Sequence, residues 1–581
     1  TLKLGTNPDG TELQYNTGNT YATNPYFAAN NFVNNTSRKR LLSSANARYD
    51  FDNGLFIQGR AGQDQYSDTY KNVVPSGTAY MALGKIAEQS TNFTDLNVDF
   101  LAGKSFKLTD LTITPNVGAS YRNTKVNQTT NNGTDFAVFG VYNILNAKNK
   151  SVNFSESEQE TNSVYGTLEF DYQSFLYLTG SVRSDWFSTL ATPGLDNKLN
   201  VVYPSVSGSF VFSELWKPSF LSFGKLRAGY AVVGQATDPY QTQLTYGFRS
   251  ESLNGAPLGA ISNSFIPNSS LKASKASELE VGTEVRLFNS RLSLDITWYN
   301  KHSTDEITSV STPITTGYAG AILNAGEIRN KGVEVLLSGK ILNSSVIKWT
   351  STINGSYNDN TVLSLAPGIA TQPLATSRTG TGFLQNVVGK AAVQVSAFDY
   401  KYDANGAIVK TAAGIPERGD LVNYGSAFSK YFAGWNNEFT YKKFTASFLI
   451  DGKFGGKLFS ATDHYGYIFG LHQATLENRE TLGIEAATYY GTLAGNVSKL
   501  FVQDASFIKL RQVIIGYTFP SLLNNKIQNL NVSFVARNLF LLMKKTDNID
   551  PESSYNATFP GLELGGVPPV RTFGINLNVK F

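Results

Sequence analysis

The stretch RTFGINLNVKF, residues 571–581, alternates polar and apolar residues from Thr572 to Phe581. Phe573, Ile575, Leu577, Val579 and Phe581 alternate with Thr572, Gly574, Asn576, Asn578 and Lys580. Side chains of an extended strand point to opposite faces in turn, so a period of two gives one apolar and one polar face. The same alternation recurs at 278–287, where Leu279, Val281, Val285 and Leu287 oppose Glu278, Glu280, Glu284 and Arg286. At 291–299, Leu292, Leu294, Ile296 and Trp298 oppose Arg291, Asp295 and Tyr299.

Extended along the chain, this pattern predicts about seventeen strands, the first at 41–51 and the last at 571–581. Short connections alternate with long ones. Asp52-Asn53-Gly54, Gln173-Ser174, Asn289-Ser290 and Tyr441-Lys442-Lys443 are short; 126–159, 235–275, 359–429, 457–504 and 542–570 are long. Outer-membrane barrels have this asymmetry, with short turns in the periplasm and long loops outside. The expectation is therefore an all-β, antiparallel transmembrane β-barrel. Residues 1–40 read as an extracellular loop segment and 41–581 as the C-terminal part of the barrel, one sheet in chain order with both edges open. The first and last strands run in the same direction. Because bacterial barrels close antiparallel with an even count, an odd number of strands is expected upstream, about five if the whole is a 22-stranded plugged transporter.

Composition agrees. The 581 residues hold 51 Gly, 38 Phe, 30 Tyr and 5 Trp with only 16% charged residues, a texture of strands and turns. Lys and Arg number 49 against 45 Asp and Glu, without a basic run, which argues against a nucleic-acid partner. Mean hydropathy is −0.19, and no window offers the roughly 18 apolar residues of a membrane helix, but a barrel hides its lipid face in alternation. The absence of Cys removes thiol nucleophiles and Cys-based metal sites and suits passage through an oxidising periplasm. The chain opens at Thr1, so an exported protein is expected to have lost a leader by processing or truncation.

A series of motifs in order resembles the SusC/RagA family of TonB-dependent transporters. They are NPYFAANNF (24–32), YPSVSGSFVFSE (203–214), GKLRAGYAVVGQ (224–235), ELEVGTEVRLFNSRLSLDITWYNK (278–301), NAGEIRNKGVEVLLSG (324–339) and NNEFTYKKFTASFLIDGKFGG (436–456). SFIKLRQVIIGYTFP (506–520), ARNLFLL (536–542), DPE (550–552) and the terminal strand complete it. The resemblance implies a nutrient importer for oligosaccharide or peptide, closed by a plug and capped by a SusD-like lipoprotein. It also implies coupling to the TonB-ExbB-ExbD complex through the region N-terminal to the barrel, where signal peptide, carboxypeptidase-like domain, TonB box and plug belong. A passive porin-like or structural barrel is the alternative, and an upstream plug and TonB box separate the two.

No catalytic, cofactor or metal site is expected. Ala102-Gly103-Lys104-Ser105 resembles the end of a phosphate loop, but Val98 stands where the first Gly is required. His302, His464 and His472 lack ligand spacing. Asp403-Ala404-Asn405-Gly406 reads as a tight turn, because no bidentate Glu follows as in a calcium loop. Glu278, Glu280 and Glu284 read as wet barrel wall.

Two groups of residues carry functional expectations. Tyr465, Tyr467, Phe469, Tyr489 and Tyr490 share one long loop, where rings either contact substrate and lid or pack the loop on the rim. Phe573, Ile575, Leu577, Val579 and Phe581 resemble the C-terminal signal read by the barrel-assembly machinery.

Overall fold

The computed structural model describes residues 5–14, 20–477, 479–482, 484–522, 527–553 and 560–580. Eighteen strands share one sheet; one of them, Phe106–Lys107, is a two-residue continuation of its predecessor, which leaves seventeen long strands. These are β1 (Val33–Asp50), β2 (Leu55–Val74), β3 (Lys85–Lys104), β4 (Leu111–Phe136), β5 (Ala147–Tyr172) and β6 (Leu176–Phe187). Then follow β7 (Asn200–Phe210), β8 (Leu221–Gln235), β9 (Ser274–Leu287), β10 (Leu292–Thr304), β11 (Glu327–Asn343) and β12 (Ile347–Ser364). The last are β13 (Tyr431–Tyr441), β14 (Phe444–Phe454), β15 (Phe507–Leu522), β16 (Ile527–Lys544) and β17 (Thr572–Lys580). Each pairs antiparallel with the next in chain order. The order continues to the end, and no pairing joins β17 to β1 among the described residues.

Register converts the sequence alternation into two walls. Val285, Leu294, Leu337, Ile353, Trp435, Ile450 and Leu510 form one row across β9 to β15. The adjacent row, Glu284, Asp295, Leu336, Asn354, Gly434, Asp451 and Lys509, points the other way. Apolar residues of the first face stay bare: Val281 is 48% exposed, Ile353 48% and Ile575 74%. A belt of that extent is unstable in water and stable against acyl chains. On the other face the charges pair across strands, as in Arg227 with Asp295 (2.6 Å) and Lys225 with Glu284 (3.1 Å).

Several boundaries differ from the sequence reading. The expected long loop 126–159 is largely strand: β4 and β5 stay paired up to Phe136 and Ala147, joined by 137–146. Likewise β1 starts at Val33 rather than 41, inside the segment read as a loop. Beyond the bilayer both faces of a strand meet water, so stretches such as NQTTNNGTDF (127–136) keep their ladder without any apolar alternation. In β1 and β2 the outer stretch is held by Arg38–Asp68 (2.5 Å) and Arg40–Asp64 (2.6 Å) pairs instead.

Ahead of β1 lies α1 (Pro25–Asn31), which accounts for the NPYF motif. Pro25 presets the first helical φ, and the Asn24 side chain caps the amides of Tyr26 (3.0 Å) and Phe27 (3.4 Å). Phe27 is then driven inside at 1% exposure.

Candidate functional site

A single-layer sheet between lipid and water has no interior, so a packed core has to form elsewhere. It forms in the long loops. Residues 371–376, 382–387, 394–400 and 418–426 make a four-stranded antiparallel sheet within the loop between β12 and β13. The next long loop adds α2 (Ala461–Ile468) and α3 (Ala486–Asn496). Between them Leu384, Val395, Phe459, Phe501 and Leu562 are 0–1% exposed in one cluster. Each such side chain contributes roughly 1.5–3 kcal/mol on burial, so this cap is a folded unit and not a set of independent loops.

The aromatic candidates divide within the cap. Tyr467 packs its ring on Phe501 (5.1 Å between centroids), Tyr490 (5.9 Å) and His472 (4.8 Å). Tyr490 is 8% exposed, and its hydroxyl donates to the Glu477 carbonyl at 2.8 Å. Tyr489 lies edge-on to Tyr490 (5.2 Å) and is half-buried. Tyr465 stacks under Phe469 at 6.1 Å with planes 14° apart, and Phe469 remains 49% exposed. Of the five, Phe469 has the most open face for a ligand or partner.

His464 and His472 take structural places in the cap, and His302 stands on the wall 2.9 Å from Glu327. His464 is buried among Phe459, Tyr465 and Phe501, and this burial pushes its imidazole pKa down to about 4. His472 caps the short 3-10 turn at Gln473–Leu476 by accepting from the Ala474 amide at 3.1 Å. Among the described residues no group of three or more metal-ligating side chains assembles. Asp403 closes a tight turn, accepting from Asn405 (2.8 Å) and Ala407 (2.9 Å) with Gly406 at φ +80°. Gly103 and Lys104 belong to β3. Of the terminal series, Phe573, Ile575, Leu577 and Val579 are exposed on the apolar face of β17, and Phe581 lies outside the described residues.

A charge cluster that spacing alone does not reveal joins three of the motifs. Lys509, 4% exposed, donates to Asp550 (2.9 and 3.0 Å) and to Glu552 (2.7 Å). Arg511 bridges Asp451 (2.8 Å) and Glu552 (2.9 Å). FLIDGKFGG, SFIKLRQ and DPE thus meet at one place on the charged face of the sheet. The ARNLF motif contributes too: β15 and β16 shift register here, Asn538 takes φ +54°, and its side-chain oxygen accepts from Arg511 at 3.3 Å. Burial by itself would raise the Glu552 carboxyl, but the Arg511 and Lys509 hydrogen bonds and charges outweigh it and hold the pKa down to about 2.

A sequence-ordered antiparallel wall with a lipid belt outside, paired charges inside and folded loops at one end defines a transmembrane β-barrel. The family model described as TonB dependent receptor-like, beta-barrel matches residues 1–539, and the chain belongs to that family of outer-membrane receptors. TonB-dependent receptor P26 of Formosa agariphila is 27% identical over 459 residues, covering 72% of this chain and 46% of that protein. TonB-dependent receptor SusC of Bacteroides thetaiotaomicron is 23% identical over 455 residues, covering 72% of this chain and 43% of SusC. The chain spans about half the length of the curated relatives it matches. The solved RagAB peptide transporter shares the fold, with TM-score 0.77 at 19% identity over 96% of this chain and 63% of that one. These likenesses agree with the SusC/RagA resemblance of the motif series.

Proposed function

We propose that the complete protein imports an oligosaccharide or peptide across the outer membrane, with energy from the TonB-ExbB-ExbD complex delivered through sequence N-terminal to the barrel. A SusD-like surface lipoprotein would deliver the substrate at the cap. The observation that carries this reading is the folded loop cap at one end of a family barrel, because a passive pore has no need of a large packed structure over its mouth. The SusC/RagA resemblance of the motif series, with SusC among the relatives and a peptide transporter among the fold neighbours, supports this reading.

The experiment is growth and uptake in the native bacterium. A strain lacking the gene is compared with one carrying the full-length gene, on glycans and on peptides as sole nutrient, with and without TonB. Loss of uptake of one class, dependent on both the gene and TonB, supports the proposal and names the class. Uptake that persists without TonB points to the passive barrel instead.

A further inference from the structure

Above the lipid belt the outward face of the wall changes character. Val281, Trp298, Val333, Tyr357 and Tyr431 form one outward row across β9 to β13. The Tyr357 and Tyr431 rings lie 5.1 Å apart, and Trp298 and Tyr431 are 40% and 53% exposed. A row of aromatics on the lipid side marks a membrane interface, and because β10 leads from a short turn to a long loop, this one is the extracellular interface. Two residues further along, about 5 Å higher on a strand tilted by roughly 40°, the outward row contains Asn300, Lys331 and Asp359. The next contains His302, Arg329 and Thr361. Lys331 and Lys430, the latter just ahead of β13, share Asp359 at 3.8 and 3.3 Å. Glu327 faces His302 at 2.9 Å. Arg329 makes no ion pair among the described residues, and its Nε and the Asn300 Oδ1 are buried without a hydrogen-bond partner.

We propose that this patch of the outer wall binds the phosphate group of an outer-leaflet lipid, with Arg329 as the main contact and Lys331 and Lys430 beside it. The cluster is short of an anion: Asp359 answers one of two lysines, and Glu327 is taken up by His302 rather than Arg329. A partly buried donor without an acceptor is costly, and a phosphate oxygen relieves it. The guanidinium fork matches two phosphate oxygens at once, and the lysines add charge without fixing orientation. Height selects a lipid over a free anion. The cations stand one and two steps above exposed rings that are continuous with the belt, so acyl chains lying on Trp298 and Tyr431 carry their headgroup to Arg329. The basic character is local, because on the outward face of β4 and β5 Lys125 is outnumbered by Glu156 and Glu158, at 2.6 and 3.6 Å. The patch faces away from the lumen, so this role is separate from passage of the transported molecule.

Titration of the full-length protein in detergent micelles tests the site. The probes are bisphosphorylated lipid A, the same lipid A stripped of its phosphates, and inorganic phosphate, with bound lipid counted by native mass spectrometry. The wild type should hold bisphosphorylated lipid A more tightly than the stripped form by about tenfold or more, as expected when two or three cations meet an anionic headgroup. Arg329→Gln should weaken that binding about fivefold, and Arg329→Gln with Lys331→Gln about tenfold or more, one cation at a time. Lys125→Gln should leave it unchanged. Equal binding of the two lipids, wild-type affinity in the Arg329 variants, or an equal loss in Lys125→Gln overturns the site. Inorganic phosphate that displaces lipid A at equal concentration would assign the cations to a free anion and overturns it too. If the double variant fails to form a heat-resistant barrel, the single variant decides by the same readings. Failure of both makes the cluster a folding determinant and overturns the lipid site.

Discussion

The rings of Phe534 and Phe573 stack 6.2 Å apart with planes at 18°, joining β17 to β16 on the apolar face. Ile575 sits directly across from Phe534 in the ladder and is 74% exposed. A carboxylate there would face acyl chains, where charged substitutions cost up to roughly 2–4 kcal/mol, acids less than bases. Ile575→Asp and Phe581→Asp in the full-length protein should lower the heat-resistant, assembled fraction in the outer membrane. Asn576→Asp, on the opposite face, should leave it unchanged. Wild-type assembly in the first two would count against the assembly-signal reading.

The cap aromatics should separate by burial. Tyr490→Ala and Tyr467→Ala remove packed rings and should destabilise the cap by about 2–4 kcal/mol, read as increased exchange in α2 and α3. Phe469→Ala should cost no more than about 0.5 kcal/mol. If this loop contacts lipoprotein or substrate, Phe469→Ala is the variant that lowers co-purification or uptake with the cap intact. Deleting 463–491 would strip Asp463 and Tyr490 from the cap and confuse the two roles.

Acid should act in two stages, on the cap and then on the wall cluster. An unfolded His464 takes up a proton below its ordinary 6.5, whereas the buried one resists until about 4. Its contribution is therefore whole above 6.5 and declines as pH falls toward 4. Glu552 works in the usual carboxylate sense: its stabilisation is whole above 4.5 and is lost as pH falls toward 2. Cap exchange measured at pH 7, 5.5 and 4 should show the first stage. His464→Phe should flatten it, and an unchanged profile in that variant would assign the sensitivity elsewhere.

Gly561 should resist replacement. Its φ of +110° suits glycine, and a Cβ there would lie 2.5 Å from Ala427 Cβ and 3.2 Å from Leu384. Gly561→Val should displace the pairing of Leu562 and Glu563 with Phe459 and Ser460 and raise exchange at 456–464, with the barrel strands unaffected. Normal cap protection in this variant would show that the loop can bend around the clash.

Much of the wall was legible because the bilayer imposes a strict period of two, as at Leu292–Trp298 and Phe573–Val579. Where that constraint ends, legibility ends. Strand β4 runs on through Asn131 and Asn132 with nothing apolar to mark its faces, and so its outer half reads as loop. The cap was visible only as an excess of rings between 457 and 504; its small sheet depends on pairings such as Gln394 with Ser426 that no local pattern announces. Lys509, Arg511, Asp550 and Glu552 each stood inside a recognised motif. Their meeting depends on where a long loop returns to the wall, which is a tertiary fact.

An outer-membrane barrel turns its apolar face toward lipid and its charged face toward the lumen. Nitroxide labels at Leu294 and Ser293 of the full-length protein in outer-membrane vesicles report which face is which. These neighbours in β10 point to opposite faces and neither belongs to an ion pair. A lipid-soluble relaxation agent should reach the label at 294 and a water-soluble one the label at 293. The reverse pattern, or water access at both, would contradict this orientation.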